Sequence, residues 1–372
     1  MMKVGITGLT GFFGQHLRWC LHSMREDFEI IEITRPFFNE RVSELPGIMR
    51  RCDALIHCAG AHPGNTKDIE TIYPTNMALA TTLTRACEEA GVAPYILFAS
   101  STQRTRANPY GASKRDAGAH FLSWAASHHG AAANLVIPNE FGEGGKPFRS
   151  SVVSTFAHQI VRGDTSEVNE NGVLTLVYAQ DVAHMMTGLL RSRETGDIIV
   201  PGSDMRVGDV YALLRSMHES YVGNVIPSLP SVLDVRLFNT LRFHLYEAGF
   251  YPRTLDVRSD ERGSLFEVVR EKTGGQTFVS TTKPGTVRGN HYHARKIERF
   301  CVVEGEATIR LRKLLSEEIQ EYRVSGSAPA VIDMPTFVVH NITNTGTTDL
   351  ITLFWTHEIF DPQDPDTFQE NV

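Results

Sequence analysis

KVGITGLTGFFG, residues 3–14, decides how the first half of this 372-residue chain folds. Lys3–Thr7 is a short apolar run of strand character, and GQHLRWCLHSM behind it (14–24) has helical spacing. Between them Gly8, Gly11 and Gly14 stand three apart, as G-x-x-G-x-x-G. Glycine lets a backbone approach a pyrophosphate closely. The N-terminus of the following helix offers it free N–H groups and a favourable dipole. Thr10, Phe12 and Phe13 lie in the same turn and belong to the expected dinucleotide-binding loop. Outward from this loop, FEIIEIT (28–34), ALIHCAG (54–60), YILFASS (95–101) and ANLVIP (133–138) read as buried strands. Helical stretches such as NMALATTLTRACEEAG (76–91) separate them. The alternation predicts a Rossmann-type, doubly wound parallel α/β sheet. Residues 204–249 read as mainly helical.

The second strand ends at Thr34-Arg35. An acid at this point suits the ribose 2′-hydroxyl of NAD, whereas arginine suits the 2′-phosphate of NADP, so Arg35 favours NADP(H) over a plain surface role. Downstream, Tyr110 and Lys114 form Y-x-x-x-K in NPYGASK (108–114), a spacing that places both on one helix face. A nearby ammonium lowers a phenol toward the range where it exchanges protons with a carbonyl or alcohol. The strand YILFASS delivers Ser100, Ser101 and Thr102 to the same region, with Ser101 favoured to hydrogen-bond the reacting oxygen.

This set resembles the extended short-chain dehydrogenase/reductase family across roughly residues 1–245. Further shared features are HCAG (His57–Gly60), Asn76, IPNEFG (Ile137–Gly142) and VYAQDVA (Val177–Ala183). The resemblance implies catalytic Ser101, Tyr110 and Lys114. It implies a cofactor site of Gly8, Thr10, Gly11, Phe12, Phe13, Gly14, Arg35, His57, Ala59 and Gly60, with Tyr110 and Lys114. One departure is visible. The segment between the second strand and ALIHCAG is short, so the usual third strand is reduced or missing and Asp53 is expected to be structural.

Near Gly249–Arg253 the chain changes character. DVRSDERGSLFEVV (256–269), QTFVST, RFCVVEGEATIRLR, EIQEYRVS, AVIDMP and LITLFWTHEIF are short strands punctuated by turn residues, which predicts an all-β barrel or sandwich. The expected domains are therefore 1–250 and 251–372. Two histidines two apart, His291 and His293, share one side of a strand, and Glu298 and His340 follow. Three imidazoles and a carboxylate make a divalent-metal site with room for substrate or water. This region resembles the cupin family. Gly285, His291, His293, Glu298 and Gly305 match every fixed position of its first motif, G-x5-H-x-H-x4-E-x6-G. The second motif is matched at Pro335, His340 and Asn344 and departs at its two glycines, where Pro329 and Phe337 stand. The departures concern turns and not ligands. Sequence leaves zinc, manganese, iron and nickel open, with zinc favoured. It also leaves open whether the metal is catalytic or structural. Tyr292 and Lys296 are candidate polar groups at the site.

Composition limits the partners. Thirty-six basic against 43 acidic residues give a net charge of −7, which disfavours nucleic acid. No run of about 18 apolar residues predicts a membrane span. Five scattered cysteines without a CxxC pair suit a reducing cytoplasm.

The order reductase-then-cupin, with NPYGASK, PNEFGEGGKP (138–147) and GNHYH followed by ERFCVVEGEATIR, resembles bifunctional enzymes of surface-polysaccharide synthesis. That resemblance implies a UDP-linked 4-keto-6-deoxy amino sugar as substrate, epimerised at C3 by the cupin and reduced at C4 with NADPH. Asn139, Lys146 and Arg149 then become candidate UDP-sugar contacts, and a homodimer is expected by analogy. A dehydratase or cofactor-recycling epimerase is the alternative, but Ser101-Thr102-Gln103-Arg104 lacks the acid that dehydratases carry there. A cupin serving only as a structural or oligomerisation module is the other.

Overall fold

A computed structural model describes the chain except residues 67, 150, 256, 261–262, 266–267, 272–274 and 359. It forms two compact units, residues 1–155 with 170–207, and residues 156–169 with 208–372. No helix among the described residues is long and apolar enough to cross a membrane.

The first unit is built on a six-stranded sheet. Its strands are β1 (Met2–Thr7), β2 (Phe28–Ile33), β3 (Ala54–His57), β4 (Tyr95–Ser101), β5 (Ala132–Ile137) and Gly196–Ile199. They lie in the order β2-β1-β3-β4-β5 and then 196–199, every pair parallel. β3, β4 and β5 are buried along their whole length, as strands covered on both faces must be. On one face Val4, Ile6 and Leu135 pack with Leu17 of helix α1 (Phe12–Ser23) and Met186 and Leu190 of the helix Ala179–Ser192. On the other, Leu55, Ile96 and Phe98 pack with Leu83 of α2 (Ile72–Ala90) and Phe121 and Trp124 of α3 (Pro109–Ser127). β2 is the sheet edge, as the short following segment predicted. The chain there makes three short helical turns, 35–38, 42–44 and 45–49, where a further strand would lie. Asp53 accepts the Lys3 N–H at 2.7 Å and so fixes the start of β1.

The second unit carries an antiparallel cupin barrel of two five-stranded sheets. One runs 253–254, 330–334, 298–304, 350–356, 276–282, and the other runs 319–325, 306–313, 338–344, 287–292, 368–369. Phe300, Ile309, Leu311, Ile332, Met334, Ile342 and Phe354 fill the space between them. Of the stretch 256–269, residues 258–260 pair with 263–265, and residues 256, 261–262 and 266–267 lie outside the described ones. The helix Val232–Glu247 belongs to this unit. Its Arg242, fully buried, donates to the Met334 carbonyl and to Asn239 Oδ1 at 3.1 Å. Arg299 and Asp333, both buried, make a two-point ion pair at 2.7 and 3.0 Å, and Arg299 also donates to Asn224 Oδ1. Paired and hydrogen-bonded in this way, the charges satisfy the condition on which a buried ion persists.

Candidate functional site

Gly8 takes a φ of 79°, and a Cβ on it would stand 2.6 Å from the Ala59 nitrogen. A Cβ on Gly14 would stand 2.1 Å from the Gly8 carbonyl oxygen. Both positions therefore require glycine, and together they leave a bare backbone cradle at the carboxyl end of β1. Helix α1 begins behind it without a side-chain cap and without an acid in its first turn, so its leading N–H groups face the cradle unclaimed. This is the donor set a pyrophosphate needs.

The cradle opens into a cleft of 1340 Å³ lined by Gly8, Thr10, Gly11, Phe12, Phe13, Gly14, Arg35, Ala59 and Gly60. Ser101, Tyr110, Lys114, Asn139 and Arg149 line the same cleft. Lys146 does not, and is exposed. His57 does not line it either. It ends a strand buried on both faces, and its ring turns into the core, stacked on Phe98 with a centroid separation of 5.6 Å. There His57 Nδ1 and the Thr7 hydroxyl are hydrogen-bonded at 2.7 Å, and Thr7 Oγ1 also accepts the Ala59 N–H at 3.1 Å. Burial, with the charge of Lys114 adding, lowers His57 to about 3 and keeps it neutral. His57 thus braces the floor of the cleft from below.

Ser101 closes β4, and Asn108 caps α3 by accepting the Gly111 N–H, which sets Tyr110 and Lys114 one turn apart on α3. Lys114 Nζ donates to the Ala99 carbonyl at 2.6 Å and lies over the rings of Phe98 and Tyr110, at 4.8 and 5.8 Å. Burial lowers Lys114 to about 8. Tyr110 departs from the lowered phenol that the Y-x-x-x-K spacing suggests. Burial pushes it up to about 12, the charge of Glu140 adds to this, and a hydrogen bond with Ser101 opposes it. The phenol is therefore a held proton, suited to donation. Asn76 supports the facing wall, bonding both the N–H and the carbonyl of Ala61 and donating to Ser113 Oγ at 2.9 Å.

In the barrel, one donor atom from each of His291, His293, Glu298 and His340 lies within 4.8 Å of the others. His291 sits opposite His340 in register, just past a bulge where Asn290 takes a φ of 58°. His340 Nδ1 donates to the Val338 carbonyl at 3.2 Å, and His293 Nδ1 donates to the Asp366 carbonyl at 2.5 Å. His293 Nε2 is hydrogen-bonded to Glu298 Oε2 at 3.1 Å, and His340 Nε2, shut off from solvent and without a hydrogen-bond partner, stands 3.3 Å from the same oxygen. Three imidazoles and a carboxylate gathered in a largely buried pocket, with the His340 Nε2 left orphaned, make a donor set that fits a divalent metal. The Asp366 carboxylate accepts the N–H groups of Ala294, Arg295 and Lys296 at 3.1, 3.0 and 2.8 Å, which clasps the loop between the ligands. Phe337, where the motif expects glycine, adopts a φ of 58° all the same, and its N–H donates to the His293 carbonyl at 2.8 Å. Tyr292 stacks on Phe368, and Lys296 Nζ donates to the Pro365 carbonyl.

Comparison with known proteins agrees with both halves. Residues 4–202 match the NAD dependent epimerase/dehydratase family, and residues 258–368 match the polysaccharide biosynthesis C-terminal domain. The chain is 31% identical over 377 aligned residues to the UDP-2-acetamido-2,6-beta-L-arabino-hexul-4-ose reductase of Pseudomonas aeruginosa, covering 100% of this chain and 99% of that one. It is similar to the crystal structure of the capsular polysaccharide assembling protein CapF from Staphylococcus aureus, with a TM-score of 0.65, 32% identity and full coverage of both chains. A stretch of 128 residues is 27% identical to the spore coat polysaccharide biosynthesis protein SpsL of Bacillus subtilis, covering 32% of this chain and 85% of that one. The chain belongs to the NAD dependent epimerase/dehydratase family, in the CapF type that carries a C-terminal cupin.

Proposed function

We propose that the chain is a bifunctional enzyme of surface-polysaccharide synthesis acting on UDP-2-acetamido-2,6-dideoxy-β-L-arabino-hexos-4-ulose. Its cupin half (251–372) inverts C3, and its reductase half (1–250) reduces the C4 ketone to give UDP-N-acetyl-6-deoxy-L-talosamine. The observation that carries this reading is the convergence of Ser101, Tyr110 and Lys114 on one cleft with the glycine cradle. Full-length likeness to the Pseudomonas aeruginosa UDP-sugar reductase supports the substrate class.

NADPH, when bound, supplies the hydride for C4. The cradle and the first turn of α1 hold its pyrophosphate, and Arg35 faces its 2′-phosphate. Ser101 donates to the ketone oxygen and orients it. Tyr110 gives that oxygen its phenolic proton as the hydroxyl forms. Lys114 holds the nicotinamide ribose. Asn139 and Arg149, which line the cleft, contact the UDP-sugar; Lys146, expected from the sequence to join them, does not line it.

In the barrel, His291, His293, Glu298 and His340 would hold a divalent cation, assigned as zinc, which supplies Lewis acidity toward the ketone oxygen beside C3. The C3 proton, α to the ketone, leaves from one face and returns to the other. The protein works as a homodimer in the cytoplasm, a compartment that its five free cysteines suit.

The test is proton NMR of the sugar in deuterated buffer, first without and then with NADPH. Deuterium entering C3 before NADPH is added, then stoichiometric NADPH oxidation, is the expected result. Oxidation without C3 exchange would reduce the cupin to a structural module. Replacing His291 or His340 with Ala should abolish the exchange and spare C4 reduction of a 3-epimerised substrate.

A further inference from the structure

Glu140 lies in the short strand Asn139–Phe141, pairs through its backbone with Val177, and lines the same cleft as Tyr110 and Lys114. Its Oε1 is shut off from solvent and has no hydrogen-bond partner. Among the described residues lining the cleft the other carboxylate is Glu32, which Arg18 neutralises at 2.6 Å.

Lys114 is 8% exposed, and its ammonium meets a carbonyl and two aromatic rings. None of these carries a full negative charge, and a buried ammonium persists only with a partner that does. Among the described residues the titratable groups around it are Tyr110 on its own helix, His57 and Cys58 at the end of β3, His62 in the loop beyond, and Glu140. His57 and His62 are held neutral by burial and by Lys114 itself, with Arg149 adding at His62. The Cys58 thiol is pushed up to about 12 and stays protonated. Tyr110 is likewise a neutral phenol. That leaves Glu140 as the group able to carry negative charge near neutral pH, burial raising it to about 7 while Lys114 pulls it down.

We propose that Glu140 is a positioning residue whose carboxylate is the counter-charge of Lys114, keeping the lysine cationic and the Tyr110 phenol protonated for donation. The inference rests on the reductase reading above. Nothing in the sequence pattern assigns Glu140 a role, because the reading of IPNEFG centres on Asn139.

The experiment is a pH titration of the full-length protein labelled with 13Cε-lysine, with the Lys114 resonance assigned through Lys114→Arg. In Glu140→Gln the Lys114 midpoint should fall by roughly one pH unit. Glu140→Asp, which keeps the charge, should restore most of it. Glu140→Met, neutral and apolar, is the second neutral variant should the Gln protein fold poorly. An unmoved Lys114 midpoint in the neutral variants overturns the proposal, whatever the activity. In parallel, the alkaline fall in kcat for ketone reduction should begin about one pH unit lower in Glu140→Gln, with the rate at pH 6 preserved. If wild type reduces no UDP-4-keto sugar, the reductase reading fails, and the lysine titration still decides the counter-charge on its own.

Discussion

His293 Nδ1 donates to the backbone carbonyl of Asp366, 73 residues further along the chain, and so turns its Nε2 toward Glu298, 3.1 Å away. Asp366 therefore acts twice. Its carbonyl fixes the imidazole tautomer, and its carboxylate ties down three successive N–H groups of the loop 294–296. Groups that orient ligating histidines typically carry 10- to 100-fold in metal affinity. Asp366→Ala keeps the backbone carbonyl and removes the carboxylate clasp, so it should lower affinity for zinc toward the smaller end, about tenfold, read by competition with a coloured chelator. An unchanged affinity would show that the ligand loop holds its shape without the clasp.

Phe337 tests whether a motif glycine is wanted for its backbone alone. Its φ of 58° costs roughly 1–2 kcal/mol in a bulky residue. Its side chain is 1% exposed, and truncating a buried Phe costs roughly 3–5 kcal/mol. Packing wins, so Phe337→Gly should destabilise by about 2–3 kcal/mol although it restores the cupin motif. Chemical denaturation of the zinc-loaded protein measures this, and a gain in stability would mean that the strain outweighs the burial.

Buried neutral histidines make the first unit sensitive to acid. Burial lowers His57 to about 3 and His16 to about 4, against an ordinary value near 6.5. Below pH 6.5 the unfolded chain takes up protons that the folded chain refuses. Stability is thus complete above that value and falls as the pH drops toward the folded values. Each histidine contributes about 1.4 kcal/mol per pH unit within the window. Melting followed from pH 7 to 5 should show a steep loss, and a flat profile would mean that these rings are protonated in place. Thr7→Val should add to the loss at every pH by about 1–3 kcal/mol, since it strips the partner from both Ala59 N–H and His57 Nδ1.

These cases show what a linear sequence can and cannot disclose. The glycine cradle was legible because its chemistry is local: three glycines between a strand and a helix serve one turn. The reduced sheet edge was legible from length alone, since residues 35–53 are too few to make another strand-and-helix unit. The candidate metal-binding residues were legible, His291 and His293 from their two-residue spacing and Glu298 and His340 from the cupin motif, and the structure gathers all four. His57, expected at the cofactor site, turns into the core and not into the cleft, because HCAG reads as one phrase while consecutive strand residues face opposite sides. Asp366 gave no local signal, since its role depends on a contact 73 residues away. Glu140 stood in a quoted motif, yet its significance comes from the burial of Lys114, which no spacing reveals.

Arg35 supplies the last test, of cofactor choice. It is exposed and lines the end of the cleft that follows β2, beside Thr34 and Asn39. A charge-assisted contact to a 2′-phosphate is worth roughly 1.5–3 kcal/mol, and solvent screening at an exposed site places it at the lower end. Arg35→Ala should therefore weaken NADPH binding about tenfold. NADH lacks the phosphate and should bind the variant as it binds wild type. Titration of both cofactors by fluorescence separates a specific contact from a general one. Equal losses for the two would make Arg35 a part of the cleft wall, and no loss for either would leave it a solvated surface residue with the choice between cofactors made elsewhere.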